Sequence, residues 1–265
     1  MRCAWLTDLH LDFLPPDEIR RFLDGARDSA FDVALLGGDL SEARDLVHDL
    51  RTMAQRWPLP IYFVLGNHDF YYGSIRHVRQ RVAELCEELP NLHYLTCGGV
   101  VRLSAQVGLL GHDGWADARL GDYETSFVMM NDYKLIEELA AFDKEGRWSV
   151  LNALGDEAAD HVRRWLPEAM DQFAETILLT HVPPFREACW HEGQVSNDEW
   201  LPHFSCRAVG DAILEVMQGY PHRQLTVLCG HTHSSGEYRP RENILVLTGG
   251  TKYGHPSIQR IMELE

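Results

Sequence analysis

The chain has 265 residues, 45% of them hydrophobic, with charges of both signs, which is enough to bury a substantial core and excludes a disordered or fibrous protein. No apolar run approaches the ~18–20 residues that span a bilayer. A formal net charge of −16 repels polyanions over most of the surface, so extended nucleic-acid binding is not expected.

The N-terminus, MRCAWLTDLH, has an acidic residue where a signal peptide would continue its apolar core, and a cytoplasmic protein is expected. RCAWLT (2–7), DVALLG (32–37) and IYFVLG (61–66) are short, almost wholly apolar runs of the kind that form buried parallel strands. Residues 16–29 between the first two read as an amphipathic helix. After Ser41, a candidate N-cap, Leu46, Val47, Leu50, Met53, Ala54 and Trp57 share one helical face, and Pro58 stops the helix. From Ser74, Ile75, Val78, Val82 and Leu85 make a third stripe. The order βαβαβα predicts an α/β protein whose sheet is largely parallel and covered by helices.

Residues 100–112 predict a strand pair or a bent strand that leads into a polar and aromatic insertion, 113–150. A helix follows within 153–173, and Pro167 is expected to interrupt or end part of it. TILLT (176–180) and LTVLC (225–229) repeat the buried-strand signature. Between them Ala208, Val209, Ala212, Ile213, Val216 and Met217 mark a helix, and a polar, aromatic loop occupies 185–200. ENILVLTGG (242–250) and PSIQRIMEL (256–264) predict closing strands. Without an internal repeat or linker, residues 1–265 read as one domain. The six dispersed cysteines form no CxxC pair and read as small buried hydrophobes.

Each buried run ends in a metal-type side chain. Asp8 and His10 follow the first strand and Asp39 the second, while Asn67 and His68 follow the third. His181 follows TILLT, and His231 and His233 follow LTVLC. In a parallel sheet these ends share one edge, where open α/β sheets place their binding crevice. Singly, each residue has an ordinary reading as a cap or a hydrogen-bond partner; five strand ends in succession do not. Carboxylates, an amide oxygen and imidazoles without a thiolate suit manganese, iron, zinc or cobalt, with magnesium and nickel also open. So many donors exceed one tetrahedral ion and suit two that share a carboxylate. The DxH and HxH pairs would put alternate side chains on the same side if the local chain is extended.

DLH (8–10), GGDL (37–40), GNHD (66–69), THVPP (180–184) and GHTH (230–233) together resemble, in order and spacing, the calcineurin-like metallophosphoesterases. The resemblance implies a four-layer α/β/β/α sandwich with a dinuclear metal centre. It implies one metal on Asp8, His10 and His233, a second on Asn67, His181 and His231, and Asp39 bridging them. It further implies that a hydroxide shared by the metals attacks phosphorus in line, that His68 protonates the leaving oxygen, and that Asp69 holds the His68 imidazole in one tautomer.

The second motif lacks the VDRG continuation of protein phosphatases, and its substrate-binding arginine has no counterpart, which disfavours that class. GHDGWAD (111–117) and MNDYKLI (130–136) resemble blocks found in a bacterial group of predicted phosphoesterases. His112, Trp115 and Tyr72 are candidates for substrate contact, each with a structural alternative: a hydrogen bond for His112, a lid or core anchor for Trp115, packing for Tyr72. Lys252 of KYGH reads as solvated by default. The expected activity is hydrolysis of small phosphodiesters or nucleotide-like phosphoesters. A phosphomonoesterase, a nuclease or end-processing enzyme, and a non-catalytic metal-bound scaffold are the alternatives.

Overall fold

Alternation inside the apolar runs sets the architecture, which a computed structural model describes for residues 1–265. In strand Arg2–Leu6, Ala4 and Leu6 face a core shared with helices Pro16–Arg27, Leu46–Arg56 and Ile75–Glu88, whereas Cys3 and Trp5 face the other way. Leu36 and Leu35 of strand Val33–Gly37 divide in the same manner. A run apolar at every position therefore belongs to two cores at once.

The first sheet runs Arg260–Glu263, Arg2–Leu6, Val33–Gly37, Ile61–Val64, Leu92–Tyr94, parallel except for its first member. The second runs Gly236–Arg241, Ile244–Thr248, Gln224–Cys229, Glu175–Thr180, Val107–His112, Val101–Arg102, parallel in its middle and antiparallel at both edges. Trp5, Leu35, Val64, Leu109, Ile177 and Leu228 interleave between the sheets. Leu178, Val227 and Val246 turn outward against helices Lys144–Gln172 and Arg207–Met217. The layers are α/β/β/α.

Three local expectations change. Ser41 does not cap the second helix, which starts at Leu46; its hydroxyl instead donates to Asp49 Oδ2 at 2.7 Å. The long helix begins at Lys144, where Asp143 Oδ1 accepts from Gly146 N at 2.9 Å, and it continues through Pro167. Burial of Leu166, Ala169 and Met170 on either side of that proline compensates for the missing amide hydrogen bond. At the third helix the insertion supplies the cap. Glu138 accepts from Ile75 N at 2.9 Å, Arg76 N at 3.2 Å and the Ser74 hydroxyl at 2.7 Å. No helix is long and apolar enough to cross a membrane.

Candidate metal centre

The loops after the parallel strands are tied together largely through backbone amides. Asp8 N donates to Gly38 O and His10 N to Asp39 O, both at 2.9 Å. Gly230 N donates to His181 O at 2.8 Å, and His231 N to Asp8 Oδ1 at 2.9 Å. These turns are left-handed: φ is 53° at Asp8, 44° at His10, 51° at Asp39, 70° at His231 and 63° at His233. The extended geometry expected for DxH and HxH is therefore not adopted. Asp and His are among the few non-glycine residues that tolerate this region, and such backbone strain clusters at functional sites. At Gly66 a Cβ would lie 2.2 Å from Asp39 Oδ1, and at Gly230 one would lie 2.0 Å from Asp8 Oδ2. Only glycine lets those carboxylates approach the turns.

Two groups of donors result. Asp8, His10, Asp39 and His233 form one and Asp39, His181 and His231 the other, the ligand atoms within each lying no more than 4.8 Å apart. Asp39 belongs to both. Asn67 Oδ1 adds to the second group, 3.1 Å from His181 Nε2 and 2.9 Å from His231 Nδ1. These three atoms can be assigned as acceptors. His181 Nδ1 donates to Gly37 O at 2.8 Å and His231 Nε2 to His203 O at 3.0 Å, which leaves the other ring nitrogens as lone pairs. The Asn67 amide nitrogen donates to Asp132 Oδ1 at 2.9 Å and Tyr71 Oη at 3.2 Å, so its oxygen turns inward. In the first group His10 Nε2 and His233 Nε2 face each other at 3.1 Å, with Asp8 and Asp39 oxygens 3.6–3.7 Å away. Lone pairs aimed at lone pairs in a buried site fit cations.

The electrostatics agree. Burial pushes Asp39 up, yet the surrounding imidazoles of His181, His68 and His10 hold it well below the usual carboxylate range. Burial pushes His181 down, but Asp39 beside it raises the ring to about 10, so a cation bound at Nε2 would take the place of a proton. Burial drives His231 down to about 3. Positive charge is drawn to the shared carboxylate.

A family model, calcineurin-like phosphoesterase, matches residues 1–235. The chain belongs to this family. It is accordingly a phosphoester-hydrolysing enzyme dependent on a dinuclear metal centre. Among solved structures, a phosphopantetheinyl hydrolase from Mycobacterium tuberculosis is similar over 94% of this chain and 89% of its own, with TM-score 0.65 and 14% identity. A dimetal phosphatase from Danio rerio is similar over 94% and 87%, with TM-score 0.56 and 13% identity. At such identity the likeness is one of fold. No protein of curated function matches the chain.

Other expectations for this phosphoesterase are revised by its geometry. Asp69 does not touch the His68 ring. Its Oδ1 accepts from Leu40 N and Ser41 N at 2.9 Å and its Oδ2 from Gly66 N at 2.8 Å, pinning the Asp39 and Asn67 turns to each other. His68 is half-buried, its backbone amide donating to Asp39 Oδ1 at 2.9 Å and its ring meeting His10 edge-on at 4.5 Å. Trp115 is a core residue against Phe70, and His112 is buried with Nε2 3.5 Å from Glu157. Tyr72 is 62% exposed, with Arg44 over its ring. None of the three lines the cleft at His68.

Two contributors had no clear sequence signal. Asp132, fully buried in the insertion, accepts from both Asn67 and the Tyr71 hydroxyl, the latter at 2.8 Å. Tyr253 lays its ring 4.6 Å from His10 and 5.0 Å from His233. MND and KYGH contain these residues, but nothing in either motif says which side chain reaches the site. Lys252 is exposed, as its default reading required.

Proposed function

We propose that this enzyme hydrolyses small phosphodiesters or nucleotide-like phosphoesters. One metal would be held by Asp8, His10 and His233, a second by Asn67, His181 and His231, with Asp39 shared. The carrying observation is that Asp39 belongs to both donor groups, within which the lone pairs converge. When bound, two cations such as manganese, iron, zinc or cobalt supply Lewis acidity and make water nucleophilic near neutral pH. His68, outside both groups and lining a cleft of about 430 Å³, donates a proton to the leaving oxygen. Asp69 and Asp132 are positioning residues, the first for the backbone turns and the second for the Asn67 amide. Residues 1–265 act as one domain, and six free thiols support a cytoplasmic setting.

Hydrolysis of bis-p-nitrophenyl phosphate and p-nitrophenyl phosphate, with each metal added in turn to stripped protein, tests the proposal. Turnover of the diester above the monoester is expected. Metal-independent turnover, or none with any metal, overturns it.

Two substitutions probe the support of the ligands. Asp132→Ala frees the Asn67 amide to rotate, and metal affinity at that position should fall by about 10–100-fold, the usual effect of losing a partner behind a ligand. Titration calorimetry with metal reads this, and the Asp69-pinned turns should remain intact. Gly66→Ala would set a methyl group 2.2 Å from Asp39 Oδ1 and 2.7 Å from His181 Cε1. A loss of about 1–3 kcal/mol in stability is expected from such overpacking, together with lost metal, in thermal melts and elemental analysis.

A further inference from the structure

Aromatic and aliphatic side chains line much of the cleft beside the metal centre, with His68, Asn131 and Glu199 as its polar members. Tyr253 is one of the aromatic members. Trp200 of the 185–200 loop, which also lines it, stacks on Phe204 at 5.2 Å, and Phe204 meets His231 edge-on at 5.4 Å. The stretch from Phe127 to Met130 in the insertion lines it as well, Phe127 being 93% exposed and Met129 55%. No lysine or arginine lines the cleft, and Glu199 is its one carboxylate.

Two physical consequences follow. An apolar group entering over Phe127 and Met129 removes hydrocarbon from water on both partners, which favours its binding. A second anionic group would instead meet Glu199 without a balancing cation, on a chain of net charge −16. The metals neutralise the scissile phosphate, but the cleft supplies no positive side chain to another anion.

We infer that the leaving group taken by this cleft is apolar or aromatic and carries no negative charge of its own. The substrate class is a phosphoester of an uncharged apolar alcohol or phenol, as distinct from a nucleoside polyphosphate or an oligonucleotide. The inference rests on the proposed hydrolysis. Water oxygen bonds to phosphorus, the bond from phosphorus to the leaving oxygen breaks, and the alcohol departs with the proton given by His68; one water hydrogen stays on the product and the other is released to solvent, from which His68 is reprotonated.

The test compares the methyl phosphodiesters of 4-butylphenol and 4-(2-carboxyethyl)phenol, whose phenols leave with similar intrinsic ease. The butyl ester should be favoured by at least ~10-fold in kcat/KM, and Phe127→Ser with Met129→Ser, both exposed positions, should cut that ratio about 5-fold or more. Glu199→Gln should raise kcat/KM for the carboxyethyl ester alone. A ratio near unity, or one unchanged in the double variant, overturns the inference. So does a dimer in sedimentation that the double variant abolishes, since a second copy would then cover the cleft. Calorimetry with the two free phenols separates the failures. If no ester is hydrolysed with any metal, the proposed function falls, while preferential binding of 4-butylphenol, weakened in the double variant, still supports the cleft assignment.

Discussion

Replacing Asp39 by alanine should reduce bound metal from two ions per chain to at most one and nearly abolish hydrolysis. Its Oδ1 lies 3.4 Å from His181 Nε2 and its Oδ2 lies 3.7 Å from His10 Nε2, so one side chain serves both donor groups. Oδ1 also accepts the His68 amide at 2.9 Å, which couples Asp39 to the position of the proposed acid. Loss of one preorganised electrostatic group commonly costs ~10²–10³ in turnover, and Asp39→Ala removes such a group from two ions at once, so a drop of about 10³-fold or more is expected. Elemental analysis after dialysis and diesterase rates read the two effects separately. Near-wild-type metal content with full activity would refute the shared role. The variant should still fold, because the turn remains held by the backbone bond from His10 N to Asp39 O and by Asp69.

The sheet layers and the convergence of the candidate donor residues were legible in the sequence for a common reason. A parallel strand buried on both faces must be apolar throughout, so it ends abruptly, and the metal-type side chains that follow Leu6, Gly37, Leu65 and Cys229 mark the shared edge. What supports those residues was not legible. Asp132 reaches Asn67 across 65 positions and Glu138 caps a helix 63 positions earlier; such bonds leave no periodicity behind. The resemblance implies that Asp69 steadies the His68 ring, whereas the 3₁₀ turn His68–Phe70 aims its carboxylate back at the amides of residues 40, 41 and 66. The left-handed turns carried a weak signal, since Asp and His are overrepresented there, but the sign of φ depends on the neighbouring loop. Phe70, Tyr71 and Tyr72 show how little adjacency decides. Phe70 enters the core, Tyr71 hydrogen-bonds Asp132, and Tyr72 faces solvent.

His68→Ala should separate acid catalysis from metal binding. The ring belongs to neither donor group, and the backbone amide that meets Asp39 survives the substitution, so two ions per chain should remain. Turnover should nevertheless fall by about 10²–10⁴-fold for esters whose leaving alcohol needs a proton, the usual share of a positioned acid. For p-nitrophenyl esters the departing phenolate is stable without protonation, and the loss should be far smaller. The decisive readout is therefore the slope of log kcat/KM against leaving-group basicity, which should steepen in His68→Ala while metal content stays level. A parallel shift of the whole series would mean that His68 binds the phosphoryl group without protonating the leaving oxygen. Loss of metal would place it among the ligands. Tyr71, whose ring lies 4.2 Å from that of His68, provides the contrast. Tyr71→Phe removes one hydroxyl that donates to Asp132 and should weaken metal binding through Asn67, without changing the leaving-group slope.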